Sequence, residues 1–142
     1  MVNTTLKTIW NGNIKGNGKI KTDNLETNIA LPEKSGGTGK GANPKEILTS
    51  SAAACYVMTL VSVIETSALA IEQLQMETVI NDLKDNEFEI VHCPQLTLSD
   101  NATENDFQTA NKLFDIAENT CFISNLLQTA NVKVYVKSTV VN

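Results

Sequence analysis

The sequence of 142 residues contains no arginine, so its eleven cationic residues are all lysines. Arginine is the usual bidentate partner of a carboxylate, and any ion pair in this chain must instead use the point charge of a lysine. Histidine is almost as scarce, because His92 is the only one. A single imidazole excludes every site that needs two histidine ligands.

Positive charge is also in the minority, because sixteen acidic residues give the chain a net charge of −5. This balance argues against a nucleic-acid partner. The first ten residues, MVNTTLKTIW, contain no apolar signal region. We therefore expect the protein to be cytoplasmic.

The three cysteines, Cys55, Cys93 and Cys121, lack the short spacings of a secreted disulfide framework or of a zinc site. The sequence therefore predicts no metal and no cofactor. In a reducing compartment, distant cysteines are either catalytic or simply buried. Both alternatives remain open for Cys55 and Cys121.

The most distinctive stretch contains eighteen consecutive uncharged residues, 47–64, with Cys55 near its middle. Asn43 is a good N-cap, Pro44 suits the first helical position, and a helix from Pro44 to Glu65 is predicted. Apolar side chains occur around its whole circumference, which is typical of a helix buried on most sides. We expect a chain of this length to form a single domain, residues 1–142. So few residues can hardly cover a helix that is apolar on all sides. We therefore expect a homodimer.

A transmembrane span is the alternative interpretation of this stretch, since its length is just sufficient. Five hydroxyl residues within it, the polar remainder of the chain and the missing basic flank argue against a membrane. We expect no membrane association.

Before this helix, Asn-Gly pairs punctuate three short predicted strands, Leu6–Trp10, Lys19–Thr22 and Leu25–Leu31. The glycine-rich loop 32–42 follows. It lacks the spacing of a phosphate-binding loop, and it is either a plain connection or the border of a pocket.

After the helix, alternating residues from Gln73 to Ile80 and from Phe88 to Leu98 predict two strands joined by a turn at Asp85 and Asn86. Pro94 predicts that the second strand lies at a sheet edge or carries a bulge. Cys93 falls on the polar parity of that strand, which favours an incidental thiol.

A second helix is predicted to begin after Thr103, with Asp106 in a capping-box position. Its apolar stripe of Phe107, Ala110, Phe114 and Ala117 continues to Cys121. Another short helical turn, Ile123–Leu127, and a strand from Val132 to Lys137 complete the chain. The order of elements predicts the α+β class.

Two cysteines on the buried faces of two helices could meet where the helices pack. A disulfide becomes possible when their Cα atoms lie within about 7 Å. A thiolate that attacks a peroxide becomes a sulfenic acid, and a neighbouring thiol then converts it to a disulfide. The pair therefore suggests a thiol peroxidase.

The segments GNGKIKT, PEKSGGTGKGANPKEIL with SSAAACYVMTL, and AENTCFISNLL resemble the osmotically inducible protein C / organic hydroperoxide resistance (OsmC/Ohr) family over nearly the whole chain. The resemblance implies an OsmC-like fold, with antiparallel sheets wrapped around two central helices in an intertwined homodimer. It also implies reduction of organic hydroperoxides, with a dithiol or a lipoylated protein as reductant. A non-catalytic small-ligand binding or carrier protein on the same fold is the alternative.

By position, Cys55 matches the peroxidatic cysteine of that family and Cys121 the resolving one. The family also pairs a glutamate, ten residues before the first cysteine, with a loop arginine. Lys45 occupies the glutamate position, so Glu46 is the candidate carboxylate and Lys15 the candidate cation. Phe122 stands where the family usually has proline after its second cysteine.

Overall fold

The computed structural model describes residues 2–142 and shows an α+β protein, as predicted. The strands are β1 (Lys7–Asn11), β2 (Asn17–Lys21), β3 (Glu26–Ile29), β4 (Ile71–Asp82), β5 (Phe88–Leu98), β6 (Lys133–Val136) and β7 (Thr139–Val141), and the helices are α1 (Pro44–Ser67), α2 (Glu104–Thr120) and α3 (Phe122–Thr129). The chain forms two compact units, an N-terminal unit up to Leu48 and a C-terminal unit from Thr49. The single domain over residues 1–142 stays a prediction.

The N-terminal unit contains the antiparallel meander β1-β2-β3 that the Asn-Gly pairs predicted. The turn between β1 and β2 depends on glycine. Gly12 has a φ of +89°, and a Cβ on Gly16 would lie 2.0 Å from the carbonyl oxygen of Asn11. Only glycine tolerates both conditions. This turn carries Lys15.

The glycine-rich loop borders an apolar cavity of about 620 Å³ within the N-terminal unit. The loop contains a short 3₁₀ helix, Glu33–Ser35, that ends at Gly36 with a φ of +88°. The apolar lining of the cavity includes Trp10, Ile20, Ile29, Leu31, Ile47 and Leu48. Of the two interpretations that the sequence left open for this loop, the structure agrees with the border of a pocket.

Helix α1 begins at Pro44, as predicted, because Asn43 caps it. The side-chain oxygen of Asn43 accepts a hydrogen bond from the Glu46 backbone at 2.9 Å, and its amide group donates to the Glu46 carboxylate at 3.0 Å. The first of these bonds satisfies a backbone N–H that a helix start leaves without a partner, and the second joins the two side chains. The helix ends at Ser67, two residues later than predicted.

The prediction that α1 is buried on most sides is wrong for the single chain. Its buried residues form one stripe, Thr49, Ala52, Tyr56, Leu60 and Ile64. Met58 is 70% exposed and Val61 49% exposed, because the C-terminal unit covers only one side of the helix. The helix is also long and apolar enough to cross a membrane, a property that it shares with core helices of soluble proteins.

The second sheet contains β4, β5 and β6 in that order, and β7 also pairs with β5. The β4–β5 hairpin is antiparallel, whereas β6 and β7 run parallel to β5. The predicted turn at Asp85 and Asn86 is confirmed, with both residues at positive φ.

The prediction of an edge or bulged strand at Pro94 is wrong. Strand β5 lies in the middle of its sheet, and Pro94 pairs with Met76 in regular register. On the other side, β6 pairs only as far as His92 and β7 only from Gln95. The interruption between these two strands falls at the proline, which has no N–H to donate.

Helix α2 has the predicted capping box. The Thr103 hydroxyl accepts from the Asp106 backbone at 3.2 Å, and the Asp106 carboxylate accepts from the Thr103 backbone at 2.8 Å. The buried face of the helix consists of Ala110, Leu113, Phe114 and Ala117. Cys121 continues this face and is fully buried, as the stripe predicted.

Candidate active site: two neighbouring thiols

The backbone around Cys121 is fixed by two helices. Its N–H donates to the carbonyl oxygen of Ala117 at the end of α2, at 2.9 Å. Its own carbonyl oxygen accepts from Asn125 in the first turn of α3, at 3.1 Å. Cys121 therefore ends one helix and caps the next, and its side chain points into the core of the C-terminal unit.

Cys55 lies on α1, immediately before the fully buried Tyr56, and is itself half-buried. It packs against the core cluster that contains Cys121. One turn earlier on α1, Ala52 belongs to a second buried cluster that also contains Leu127 of α3, and Ile123 packs against this second cluster. The packing of α1 with α3 thus places the start of α3 beside Cys55.

The structure brings Cys55 and Cys121 together as free thiols. They are close enough for a hydrogen bond between them to influence both pKa values. The prediction that helix packing makes these two cysteines neighbours is confirmed, whereas their catalytic roles stay predictions.

The environment of Cys55 favours its thiolate. Burial raises its pKa, but hydrogen bonds from the Ile123 backbone, the Cys121 thiol, the Thr59 side chain and the Phe122 backbone together hold the pKa below its ordinary value. The first amides of a helix have no partner within the helix and attract negative charge. The Thr59 hydroxyl donates its single proton to the Cys55 carbonyl oxygen at 2.7 Å, so its help requires a rotation.

Cys121 has the opposite shift. Burial raises its pKa, and the neighbouring Cys55 raises it further. Ser124 acts against this through its hydroxyl, which donates to the Cys121 sulfur at 3.2 Å, and through its backbone amide. The pair is therefore asymmetric, because Cys55 ionises first.

Tyr56, which shares the core cluster with Cys121, stacks on His92 with ring centroids 5.4 Å apart. Burial lowers the pKa of His92, and its Nδ1 lies 2.9 Å from the Thr78 hydroxyl. Burial and the nearby Glu118 raise the pKa of Tyr56, whose hydroxyl donates to the Phe114 carbonyl oxygen at 3.3 Å. Both rings are therefore uncharged at neutral pH.

Lys15 and Glu46 lie on separate elements of the N-terminal unit. The Lys15 ammonium lies 3.5 Å from the Gly37 carbonyl oxygen, and its backbone N–H donates to the Asn13 side chain at 2.9 Å. Glu46 takes part in the cap of α1. The catalytic roles assigned to these two residues stay predictions.

Cys93 lies on the outward parity of β5, as predicted. It is half-buried and borders a small polar cavity with Gln75, Glu77 and Gln95 in the C-terminal unit. Like the other two cysteines among residues 2–142, it is a free thiol.

Sequence reasoning missed the donors in the first turn of α3, namely the amides of Phe122 and Ile123 and the hydroxyl of Ser124. The short helix was expected over Ile123–Leu127, whereas it begins at Phe122. A start immediately after Cys121 would have indicated free amides beside the thiol pair.

Comparison with known proteins found relatives in sequence and in structure. A family model described as OsmC-like protein matches residues 37–137. The uncharacterized protein YmaD of Bacillus subtilis (strain 168) is 38% identical over 139 residues, which cover 95% of this chain and 92% of YmaD.

Solved structures share the fold. An OsmC-like protein from Mycoplasma pneumoniae matches with a TM-score of 0.75 at 18% identity, over 99% of each chain. An organic hydroperoxide resistance protein OsmC from Legionella pneumophila matches with a TM-score of 0.64 at 22% identity, over 100% of this chain and 98% of that one.

Taken together, the fold and the site define an α+β protein whose helices bring two thiols into contact. The chain belongs to the OsmC-like protein family, as the sequence resemblance implied.

Proposed function

We propose that this protein is a thiol-dependent peroxidase that reduces organic hydroperoxides through Cys55 and Cys121. The observation that carries the proposal is the contact of two free thiols whose pKa values are shifted in opposite directions. The thiol with the lower pKa is the better nucleophile at neutral pH, and the buried thiol is ready to receive its product. Membership of the family agrees with this activity, since some members with solved structures are named organic hydroperoxide resistance proteins.

In the first step, the Cys55 thiolate attacks the outer oxygen of the hydroperoxide. The O–O bond breaks, the alkoxide leaves and takes up a proton, and Cys55 becomes a sulfenic acid. Cys121 then attacks the Cys55 sulfur. Hydroxide leaves, combines with a proton to form water, and a disulfide remains.

A dithiol or a lipoylated protein supplies the two electrons that restore both thiols. The hydroperoxide thus gains two electrons and becomes an alcohol and water, while the reductant becomes a disulfide. We place this cycle in the cytoplasm, and Lys15 with Glu46 is the proposed cation–carboxylate pair that assists it.

We further propose that the protein is a homodimer. The face of α1 that bears Met58 and Val61 is apolar and exposed in the single chain. A second copy would remove this face from water.

A thiol count tests the activity. One equivalent of cumene hydroperoxide should rapidly remove two free thiols per chain, with formation of one equivalent of cumyl alcohol. Unchanged thiols after the same treatment would contradict the proposal.

A small-ligand binding or carrier protein is the second candidate. The apolar cavity of about 620 Å³ in the N-terminal unit is the observation that favours it. A binding protein would leave the hydroperoxide intact and would bind an apolar fluorescent probe in the cavity. A charged substitution in the cavity, such as Ile29→Lys, should abolish this binding.

A further inference from the structure

Ser124 is a buried hydroxyl residue whose side chain contacts a sulfur atom. It is 2% exposed, and its hydroxyl donates to the Cys121 sulfur at 3.2 Å. Ser124 lies in the first turn of α3, and Cys121 is the N-cap of the same helix. The helix therefore holds the backbone of both residues in this contact.

The strength of this hydrogen bond depends on the state of the sulfur. A neutral thiol or a disulfide sulfur is a weak acceptor, whereas a thiolate is a strong, charged one. The Ser124 hydroxyl therefore stabilises Cys121 most when its sulfur carries negative charge. In the proposed cycle, charge appears on this sulfur whenever the disulfide is broken with Cys121 as the leaving group.

Reduction of the disulfide presents a conflict between access and leaving-group quality. Cys121 is fully buried and Cys55 is not, so an external thiolate can reach only the Cys55 sulfur. The thiol with the lower pKa is the better leaving group, and that is Cys55. Attack on the accessible Cys55 sulfur therefore requires Cys121, the poorer leaving group, to depart.

We propose that the Ser124 hydroxyl resolves this conflict by stabilising Cys121 as the leaving thiolate, so that the reductant attacks Cys55. This inference rests on the proposed function, and it adds the direction of the reductive step. The Ser124 hydroxyl contacts the reacting sulfur of Cys121 but forms no covalent bond during the step.

A reductant thiolate forms a bond to the Cys55 sulfur, the Cys55–Cys121 bond breaks, and the electron pair goes to the Cys121 sulfur beside the Ser124 hydroxyl. The second thiol of the reductant, after losing its proton, attacks the reductant sulfur of the mixed disulfide and releases Cys55 as thiolate. The proton that was lost goes to Cys121.

The test separates this step from hydroperoxide chemistry, because the disulfide is made with diamide. The oxidised protein is treated with limiting 2-mercaptoethanol, quenched with acid and mapped by mass spectrometry. We expect the mercaptoethanol adduct on Cys55 and a free thiol at Cys121. An adduct on Cys121 in the unaltered protein would overturn the proposal, and failure of diamide to join the two sulfurs would overturn both it and the proposed function.

Variants measure the contribution of the hydroxyl. Ser124→Ala should slow reduction of the diamide-formed disulfide by dithiothreitol about tenfold, since a hydrogen bond to a charged atom is lost. Thr129→Val is the matched control, because it removes a hydroxyl of the same helix that donates to the Asn125 carbonyl oxygen at 3.0 Å. Its rate should equal that of the unaltered protein.

The pH dependence adds a readout that a merely structural role would not change. With Ser124→Ala, the pH at which Cys121 ionises should rise, followed through the ultraviolet absorbance of its thiolate in a Cys55→Ser, Cys93→Ser background, which needs no reagent to enter the core. Equal reduction rates and equal pH profiles with and without the hydroxyl would overturn the proposal. If these effects are found but hydroperoxide is not consumed, only the proposed peroxidase activity fails.

Discussion

The N-terminal and C-terminal units differ sharply in composition and charge. The residues up to Leu48 contain all seven glycines and seven lysines against four acidic residues, a net charge of +3. The residues from Thr49 contain all three cysteines and no glycine, with four lysines against twelve acidic residues, a net charge of −8. The overall charge of −5 therefore hides a basic unit and an acidic one.

Cys55 and Cys121 both lie in the acidic C-terminal unit, yet the net charge of this unit does not determine how readily Cys55 ionises. An excess of carboxylates disfavours a thiolate, yet the pKa of Cys55 is lowered. Among residues 2–142, the groups that lower it are neutral hydrogen-bond donors of the C-terminal unit. Direct contact with amides outweighs exposed charges, which water and salt screen.

Removal of the nucleophile should have the largest effect on activity. With Cys55→Ser, hydroperoxide consumption should fall to background, since the variant lacks the proposed nucleophile. Cys93→Ser is the matched control in the same unit and should retain full turnover in a ferrous-oxidation assay of residual peroxide. Full turnover by Cys55→Ser would remove the C-terminal unit's thiol pair from the mechanism.

Removal of the second thiol should stop the cycle later. With Cys121→Ser, the first attack should survive for about one turnover and leave a sulfenic acid on Cys55. Dimedone should trap this species, and excess peroxide should drive it to sulfinic acid, both visible by mass spectrometry of the intact chain. Sustained turnover without Cys121 would show that another thiol resolves the intermediate.

Assembly tests whether the exposed face of α1 is covered by a second copy. We expect sedimentation at twice the chain mass of 15.4 kDa, with an interface of more than about 2,000 Å² in total. Met58→Lys, which places a charge on that face, should shift the protein to monomer. A folded monomer of the unaltered chain at micromolar concentration would contradict the dimer.

The amide of Phe122 should have a smaller effect, on the pKa of Cys55. Phe122→Pro removes one backbone donor at the first position of α3, where proline is otherwise well tolerated. The midpoint of Cys55 alkylation should move to higher pH, because the thiolate loses a hydrogen bond. Phe122→Leu keeps the amide and should keep the profile, and a shift in both variants would assign the effect to the side chain.

We expect the smallest effect on the alkylation of Cys55 from a substitution in the basic N-terminal unit. If Lys15 supplies the cation that the family arginine provides, Lys15→Met should also move the alkylation midpoint to higher pH, but by less than Phe122→Pro. A water-exposed ammonium is screened, whereas an amide in contact is not. Lys34→Met controls for the loss of one positive charge, and a larger effect from Lys15 than from Phe122 would reverse the ranking of the two units.

Most of the fold could be predicted from local sequence. The caps at Asn43 and Thr103 located the starts of α1 and α2, because their side chains satisfy the first amides of each helix. Period-two alternation located the β4–β5 hairpin, and the stripe of α2 correctly aimed Cys121 at the core.

What failed depends on contacts that are distant in sequence. Pro94 indicated an edge strand, but β5 is central because β6 and β7, from the C-terminal end of the chain, pair with it on either side of the proline. Strand β7 is only three residues long and carries too few positions for a recognisable alternation. The donors around Cys55 come from α3, some seventy residues along the chain, and spacing within α1 cannot indicate them.

The most direct test of the thiol pair is peptide mapping after one equivalent of cumene hydroperoxide. The protein is alkylated under non-reducing conditions, digested and analysed by mass spectrometry. We expect one linked pair of peptides, containing Cys55 and Cys121, with Cys93 alkylated. A disulfide that contains Cys93, or three alkylated cysteines alongside intact hydroperoxide, would contradict it.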